Sequence, residues 1–201
     1  MSKNTKSPKR PPTTARYEYR VWGKHRKAVH TLAKMAALET KENFDDCYLL
    51  GDDPDWNAKV RNDTLKLKER GKTKKGFERW DSNWHRDVDG TPSPFDVVFE
   101  DLSLDRPQRG KRYDLTKAVR NLDDDDVNAV FVTKRRRRFE IGDIRAESTK
   151  IDVHRSDTRL HTVAVQGGDV KALVKLLRKL GLDGLSNVPM HIAIAEEVAS
   201  N

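Results

Sequence analysis

The chain has little of what would tie it to an oxidising compartment or to a membrane. It holds one cysteine, Cys47, in 201 residues, which excludes an internal disulfide. A lone thiol fits a reducing compartment, so a cytoplasmic location is expected. No apolar run approaches the roughly 18 residues that span a bilayer, and the N-terminus lacks the apolar stretch of a signal peptide. No membrane partner is expected. The six histidines form no pair at helical ligand spacing joined to a second cluster, so no zinc site is read. Aromatics make up only 7% of the residues, and no recognised nucleic-acid motif appears.

What the chain has instead is charge. Charged residues are 36% and hydrophobic residues 35%, with a mean hydropathy of -0.85. That much charge must sit in a cavity, a tail or long loops. The net charge of +8 favours a polyanionic partner: a phosphate-rich small molecule, a nucleic acid or an anionic surface. Half of that excess is Lys3, Lys6, Lys9 and Arg10, within the proline-containing residues 1–14, which read as a disordered basic tail. Residues 15–201 are long enough for one domain with a real core.

The stretch from Val127 to Asp169 organises that domain. It reads as three strands, near Ala129–Phe139, Ile144–Val153 and Leu160–Gln166, with turns at Gly142-Asp143 and Arg155–Thr158. In an extended chain alternate side chains share a face. Thr133, Arg135 and Arg137 therefore point one way and Lys134, Arg136 and Arg138 the other, while Arg145, Glu147 and Thr149 share a face on the return strand. Such packed cation repels itself unless an anion or facing carboxylates neutralise it.

The same alternation occurs elsewhere. Ala15–Trp22 sets Arg16, Glu18 and Arg20 against Tyr17, Tyr19 and Val21. After a short strand at Phe44–Leu50 and an acidic turn at Gly51–Asp55, Trp56–Arg70 reads as a strand region. It sets Lys66, Lys68 and Arg70 against Leu65 and Leu67. A lysine-rich hairpin loop at Gly71–Gly76 and a strand at Gly76–Trp84 follow. Amphipathic helices are expected at Lys24–Glu39, from Asp169 to Leu180, and more weakly at Gly184–Val198. Between them lie a loop at Asp87–Asp101 with a short strand at Val97–Phe99, a short helix capped by Asp114, and the acidic run Asp123–Asp126. If the apolar strand faces point outward to helices, the charged faces point at one another. An α+β fold follows, an antiparallel barrel with a cationic lumen and helices packed on its outside.

The order RYEYRVW, TLKLKER, FVTKRRRRFEI with IRAE, and TVAVQGGDVKALVKLLRKLGL resembles the CYTH superfamily of triphosphate tunnel metalloenzymes over roughly residues 15–190. The resemblance implies an eight-stranded antiparallel tunnel whose basic residues hold a triphosphate and whose carboxylates hold a divalent metal. Matched residue by residue, the phosphate-binding positions implied are Arg16, Arg20, Lys66, Lys68, Arg135, Arg137 and Arg145, and the metal-binding ones Glu18 and Glu147. The chain departs from the pattern where acids are expected: it has Arg16 on the first strand, Thr149 on the return strand, and Thr162, Ala164 and Gln166 on the late strand. The implied function is binding of a triphosphate or polyphosphate with weak or no hydrolysis and no certain cofactor. A magnesium- or manganese-dependent triphosphatase is the alternative, and a basic nucleic-acid-binding protein the alternative from another class.

Overall fold

The structure, a computed structural model, describes residues 16–51, 54–62, 64–86, 129–154, 156 and 158–200. The described residues form eight strands and three helices. The strands are β1 (Tyr17–Trp22), β2 (Leu38–Leu49), β3 (Trp56–Arg61), β4 (Thr64–Lys74), β5 (Phe77–Arg86), β6 (Ala129–Ile141), β7 (Ile144–Val153) and β8 (Arg159–Gly167). The helices are α1 (Arg26–Met35), α2 (Val170–Leu180) and α3 (Met190–Ala199). All strand pairings are antiparallel, and the sheet closes on itself in the order β1-β5-β4-β3-β2-β6-β7-β8. Closure leaves no edge strand along the ring. The expected short strand at Val97–Phe99, the helix capped by Asp114, the acidic run Asp123–Asp126 and the tail 1–14 lie outside the described residues.

The turns follow from local chemistry. Lys75 and Gly76, at φ 52° and 77°, give β4–β5 two successive left-handed residues, as a tight hairpin turn needs. Gly142, at φ 56°, serves β6–β7. Trp56–Arg70 is two strands rather than one, because the chain reverses at Asn62, where φ is 49°. The first helix is shorter than its periodicity implies. It stops at Met35; Ala36 is extended, and the Ala37 amide donates to the Glu140 carbonyl at 2.9 Å. That bond pulls the chain into β2, which starts at Leu38 and pairs along β6 for twelve positions.

α2 forms for local reasons. Val170, Leu173, Leu177 and Leu180 recur at helical spacing and are buried. Asp169 accepts from the Lys171 amide at 2.8 Å as N-cap, and Gly181 takes the left-handed conformation beyond the C-terminus. α1 and α2 cover the outer face of the barrel, where Val21, Phe139, Ala146, Val163 and Val165 meet Leu32, Leu173, Leu176 and Leu177. Each fully buried Leu contributes about 1.5–3 kcal/mol relative to exposure.

α3 does not join them on the outside. Met190 and Ile194 pack on Tyr48, Val130, Val132, Ile151 and Val153, and these strand residues have the inward parity of Lys134 and Thr149. The helix therefore closes one end of the barrel, and it starts later than the expected Gly184, with Pro189 as its N-cap. The segment leading into it lies against β1. The Asn187 side chain accepts from the Arg20 amide at 2.7 Å, and the Val188 amide donates to the Arg20 carbonyl at 3.0 Å. β1 and β5 pair only at Tyr17–Arg79 and Glu18–Glu78, so this strap satisfies backbone groups that the short pairing leaves over.

Candidate functional site: a cationic lumen

Inward-facing residues of the strands, with Pro189 and Met190 at the closed end, enclose a cavity of about 120 Å³. At about 10–15 Å³ per water-sized group, that is room for on the order of ten such groups. The scale is that of a short phosphate chain, far below that of a nucleic-acid strand. Among the described residues, six basic side chains line it: Arg20, Lys59, Arg61, Lys68, Lys134 and Arg136. Among the described residues, Glu18 and Glu147 are the acids that line it.

Two ion-pair clusters organise this charge. Deepest is Asp46 of β2, fully buried, which accepts from Lys59 at 3.2 Å, from Arg61 Nη2 at 2.7 Å and from Lys134 at 3.0 Å. Burial alone would raise its carboxyl, but the Arg61 hydrogen bond and the charges of Lys134 and Lys59 outweigh it and hold the group far below the carboxylate range. Three cations on one carboxylate leave positive charge over. Burial is felt on the lysines: it brings Lys134 down to about 8 against the help of Asp46, and pushes Lys59 well down, with Lys134 adding repulsion.

The second cluster centres on Arg20. Its Nη2 donates to Glu18 Oε1 at 2.9 Å and to Glu147 Oε1 at 2.7 Å, so one guanidinium bridges both wall carboxylates. Arg136 adds a longer contact to Glu147 at 3.3 Å and pairs with Glu42 as well. Burial pushes the Glu147 carboxyl up; Arg20 and Arg136 overcome this and bring it to about 2. The Phe44 ring meets one cation from each cluster, with Arg61 from β3 at 3.9 Å and Arg136 from β6 at 4.6 Å from its centre.

The positions implied by the resemblance separate on this geometry. Glu18, Arg20, Lys68 and Glu147 line the cavity. Lys66 has the same parity on β4 and is half-buried, its ammonium pushed down by burial and by Arg61. Arg145 shares the Glu147 face and pairs with Glu140 at 2.9 Å. Arg16 is exposed just before β1, so the cation beside the wall carboxylates is Arg20. Arg135 and Arg137 point out of the barrel: Arg135 bonds Asp152, and Arg137 bonds Glu39 at 2.9 Å. The inward members of the run are Lys134, Arg136 and Arg138; the first two line the cavity, and Arg138 pairs with Glu42 at 3.1 Å. The reason is register, which sets Phe139, of the same parity as Arg135 and Arg137, against α1 and α2. Asp46, Lys59 and Arg61 were not singled out from the sequence. Their signal was the alternation Asn57, Lys59, Arg61 in WNAKVR, beside the alternation Phe44, Asp46, Tyr48 on the neighbouring β2.

A hard divalent cation such as magnesium or manganese takes about six oxygen ligands. Here Glu18 and Glu147 both accept from Arg20, and among the described residues no group of three or more His, Cys, Asp and Glu side chains could hold a metal. Ala164 lies directly across from both Arg20 and Glu147 and supplies no oxygen from its side chain. The donor set of the described residues does not fit such an ion.

The closed eight-stranded antiparallel barrel with a charged interior is the architecture that the resemblance noted in the sequence implies. No family model matches the chain, and no curated protein matches it in sequence. Solved structures do. The PH1012 protein of Pyrococcus horikoshii OT3 is similar over 89% of this chain and 98% of its own, with 12% identity and a TM-score of 0.54. A conserved hypothetical protein of Pyrococcus furiosus follows with 11% identity, 88% and 98% coverage and a TM-score of 0.52. The HpAC1 protein of Hippeastrum, described as having a dominant triphosphatase activity, shares 14% identity over 90% of this chain and 95% of its own, with a TM-score of 0.48. At these identities the likeness is one of fold. Among the described residues no helix is long and apolar enough to cross a membrane.

Proposed function

We propose that the lumen binds the phosphate chain of a triphosphate or short polyphosphate without help from a metal, and hydrolyses it weakly or not at all. One observation carries this reading: six basic side chains converge on a small cavity closed at one end, while its two wall carboxylates are bridged by Arg20. Such a lumen is self-repelling when empty. Phosphate oxygens relieve both the charge and the unused donors. Activation of a water at neutral pH by a metal needs carboxylates free to hold the ion, and Arg20 engages both carboxylates that line the cavity among the described residues. The buried Cys47 fits a reducing, cytoplasmic setting. The nucleic-acid reading draws less support, because Arg135 and Arg137, the outward arginines, are paired with Asp152 and Glu39.

Calorimetric titration with tripolyphosphate tests the proposal. Binding is expected in excess chelator, with an affinity that added magnesium does not raise, and phosphate release is expected to stay at background. Metal-dependent phosphate release, lost in Glu147→Gln, would establish the triphosphatase instead. No binding of tripolyphosphate or ATP at low salt would remove the proposal altogether.

A further inference from the structure

Most of the polar groups facing the lumen are satisfied by one another, and one that is not stands out. Thr149 of β7 lines the cavity and is 2% exposed, and its hydroxyl has no hydrogen-bond partner among the described residues. Its neighbour across β8, Thr162, is equally buried but donates to the Val21 carbonyl at 2.8 Å. Directly opposite Thr149 on β6 is Arg136, whose Nε is likewise buried without a partner although its two Nη atoms bond Glu147 and Glu42. Residues opposite each other on antiparallel strands carry Cβ atoms about 4.5–5.5 Å apart. Two unused donors therefore come from facing positions of the cavity wall. A hydroxyl buried without a partner is destabilising, and valine would fill the same volume without that cost. Thr149 is also the innermost polar residue of its strand face, since the next inward residue, Ile151, belongs to the apolar floor under α3.

We propose that the Thr149 hydroxyl, with Arg136 Nε beside it, is a ligand-binding subsite that donates to an oxygen of the deepest phosphoryl group of the bound chain. This rests on the function proposed above. It assigns to the deep end of the cavity a neutral donor facing the ligand, where the resemblance led one to expect a carboxylate facing a metal. A donor at the closed end selects a chain that inserts end-on with an unesterified terminal phosphate.

The test is tripolyphosphate affinity by calorimetry in chelator, together with the melting temperature of the unliganded protein, for wild type, Thr149→Val, Thr149→Ala and Thr149→Ser. A hydrogen bond to a charged group is strong enough that its loss weakens binding by roughly tenfold or more. Thr149→Val is expected to bind roughly tenfold more weakly and to melt no lower than wild type, because it removes an unsatisfied group and keeps the shape. Thr149→Ala should lose affinity to a similar degree whatever its stability, and Thr149→Ser should stay within about threefold of wild type. Equal affinity of wild type, Thr149→Val and Thr149→Ala would overturn the subsite while leaving the lumen proposal standing. A Thr149→Ser variant as weak as Thr149→Val would also overturn it, by showing that the methyl group and not the hydroxyl matters. Absence of binding by wild type is a different result, the failure of the lumen proposal itself.

Discussion

Lys134 shows how one residue acquires its properties from its surroundings. On the sequence it is one cation in a run of five. In the barrel it is almost fully buried, bonds Asp46 at 3.0 Å and lies 4.4 Å from the centre of the Tyr48 ring. Burial brings its ammonium from an ordinary 10.5 to about 8. Two consequences run in opposite directions. Between about 8 and 10.5 the unfolded chain holds a proton that the folded chain has released, so this residue's contribution to stability rises with pH across that window. Anion binding needs the ammonium and therefore falls as pH rises through about 8. Tripolyphosphate affinity of wild type relative to Lys134→Met is expected to drop about tenfold between pH 7 and pH 9. The ratio is the readout because the ligand's own ionisation is common to both proteins, and a flat ratio would show that Lys134 does not meet the ligand. Glu147 works in the other sense. Its folded value of about 2 lies below the ordinary 4.5, so its contribution is fully present above 4.5 and is lost as pH falls toward 2.

At the scale of elements, α2 was legible because everything that makes it a helix is local: the apolar stripe, the Asp169 cap and Gly181. Its anchoring can be measured directly. Asp169→Ala is expected to cost about 1 kcal/mol through loss of the cap, and Leu173→Ala about 2–5 kcal/mol through the cavity left between helix and barrel. Urea denaturation that gives the two equal, small values would show α2 to be loosely attached. β2 was legible only in its second half, as the strand near Phe44–Leu50. Leu38–Glu42 follows the α1 pattern without a proline or glycine to stop it, and its strand state depends on pairing with β6. The division of Trp56–Arg70 was missed because Asn62, a residue that tolerates the left-handed region, marks the turn more weakly than glycine does.

For the whole molecule, barrel closure turns a charged surface into a binding volume. The outward cations of β6 and the inward cations of β4 make this testable with one pair of double variants. Arg135→Ala/Arg137→Ala is expected to leave the rise in melting temperature caused by tripolyphosphate within about 1 °C of wild type. Lys66→Ala/Lys68→Ala should abolish most of that rise, since binding to the folded state alone stabilises it by mass action. The reverse outcome would move the anion to the outer wall. Duplex DNA is expected to bind weakly and with a steep salt dependence in all of these proteins, as contact with several phosphates requires.

The sequence by itself determined the alternation of charged and apolar faces, the barrel this implies, the strong second helix, and the shared face of Glu18 with Arg20 and of Lys66 with Lys68. Each follows from a period of two or 3.6 read within one segment. It could not choose a face for β6, because both parities of that strand carry arginine and periodicity gives no preference between them. It could not pair Asp46 with Lys59, Arg61 and Lys134, which come from three strands, nor place Arg20 between Glu18 and Glu147. Those decisions belong to register and closure: the fit of Phe139 beneath the helices fixes which arginines turn inward, and the ring of strands then brings distant charges to one lumen.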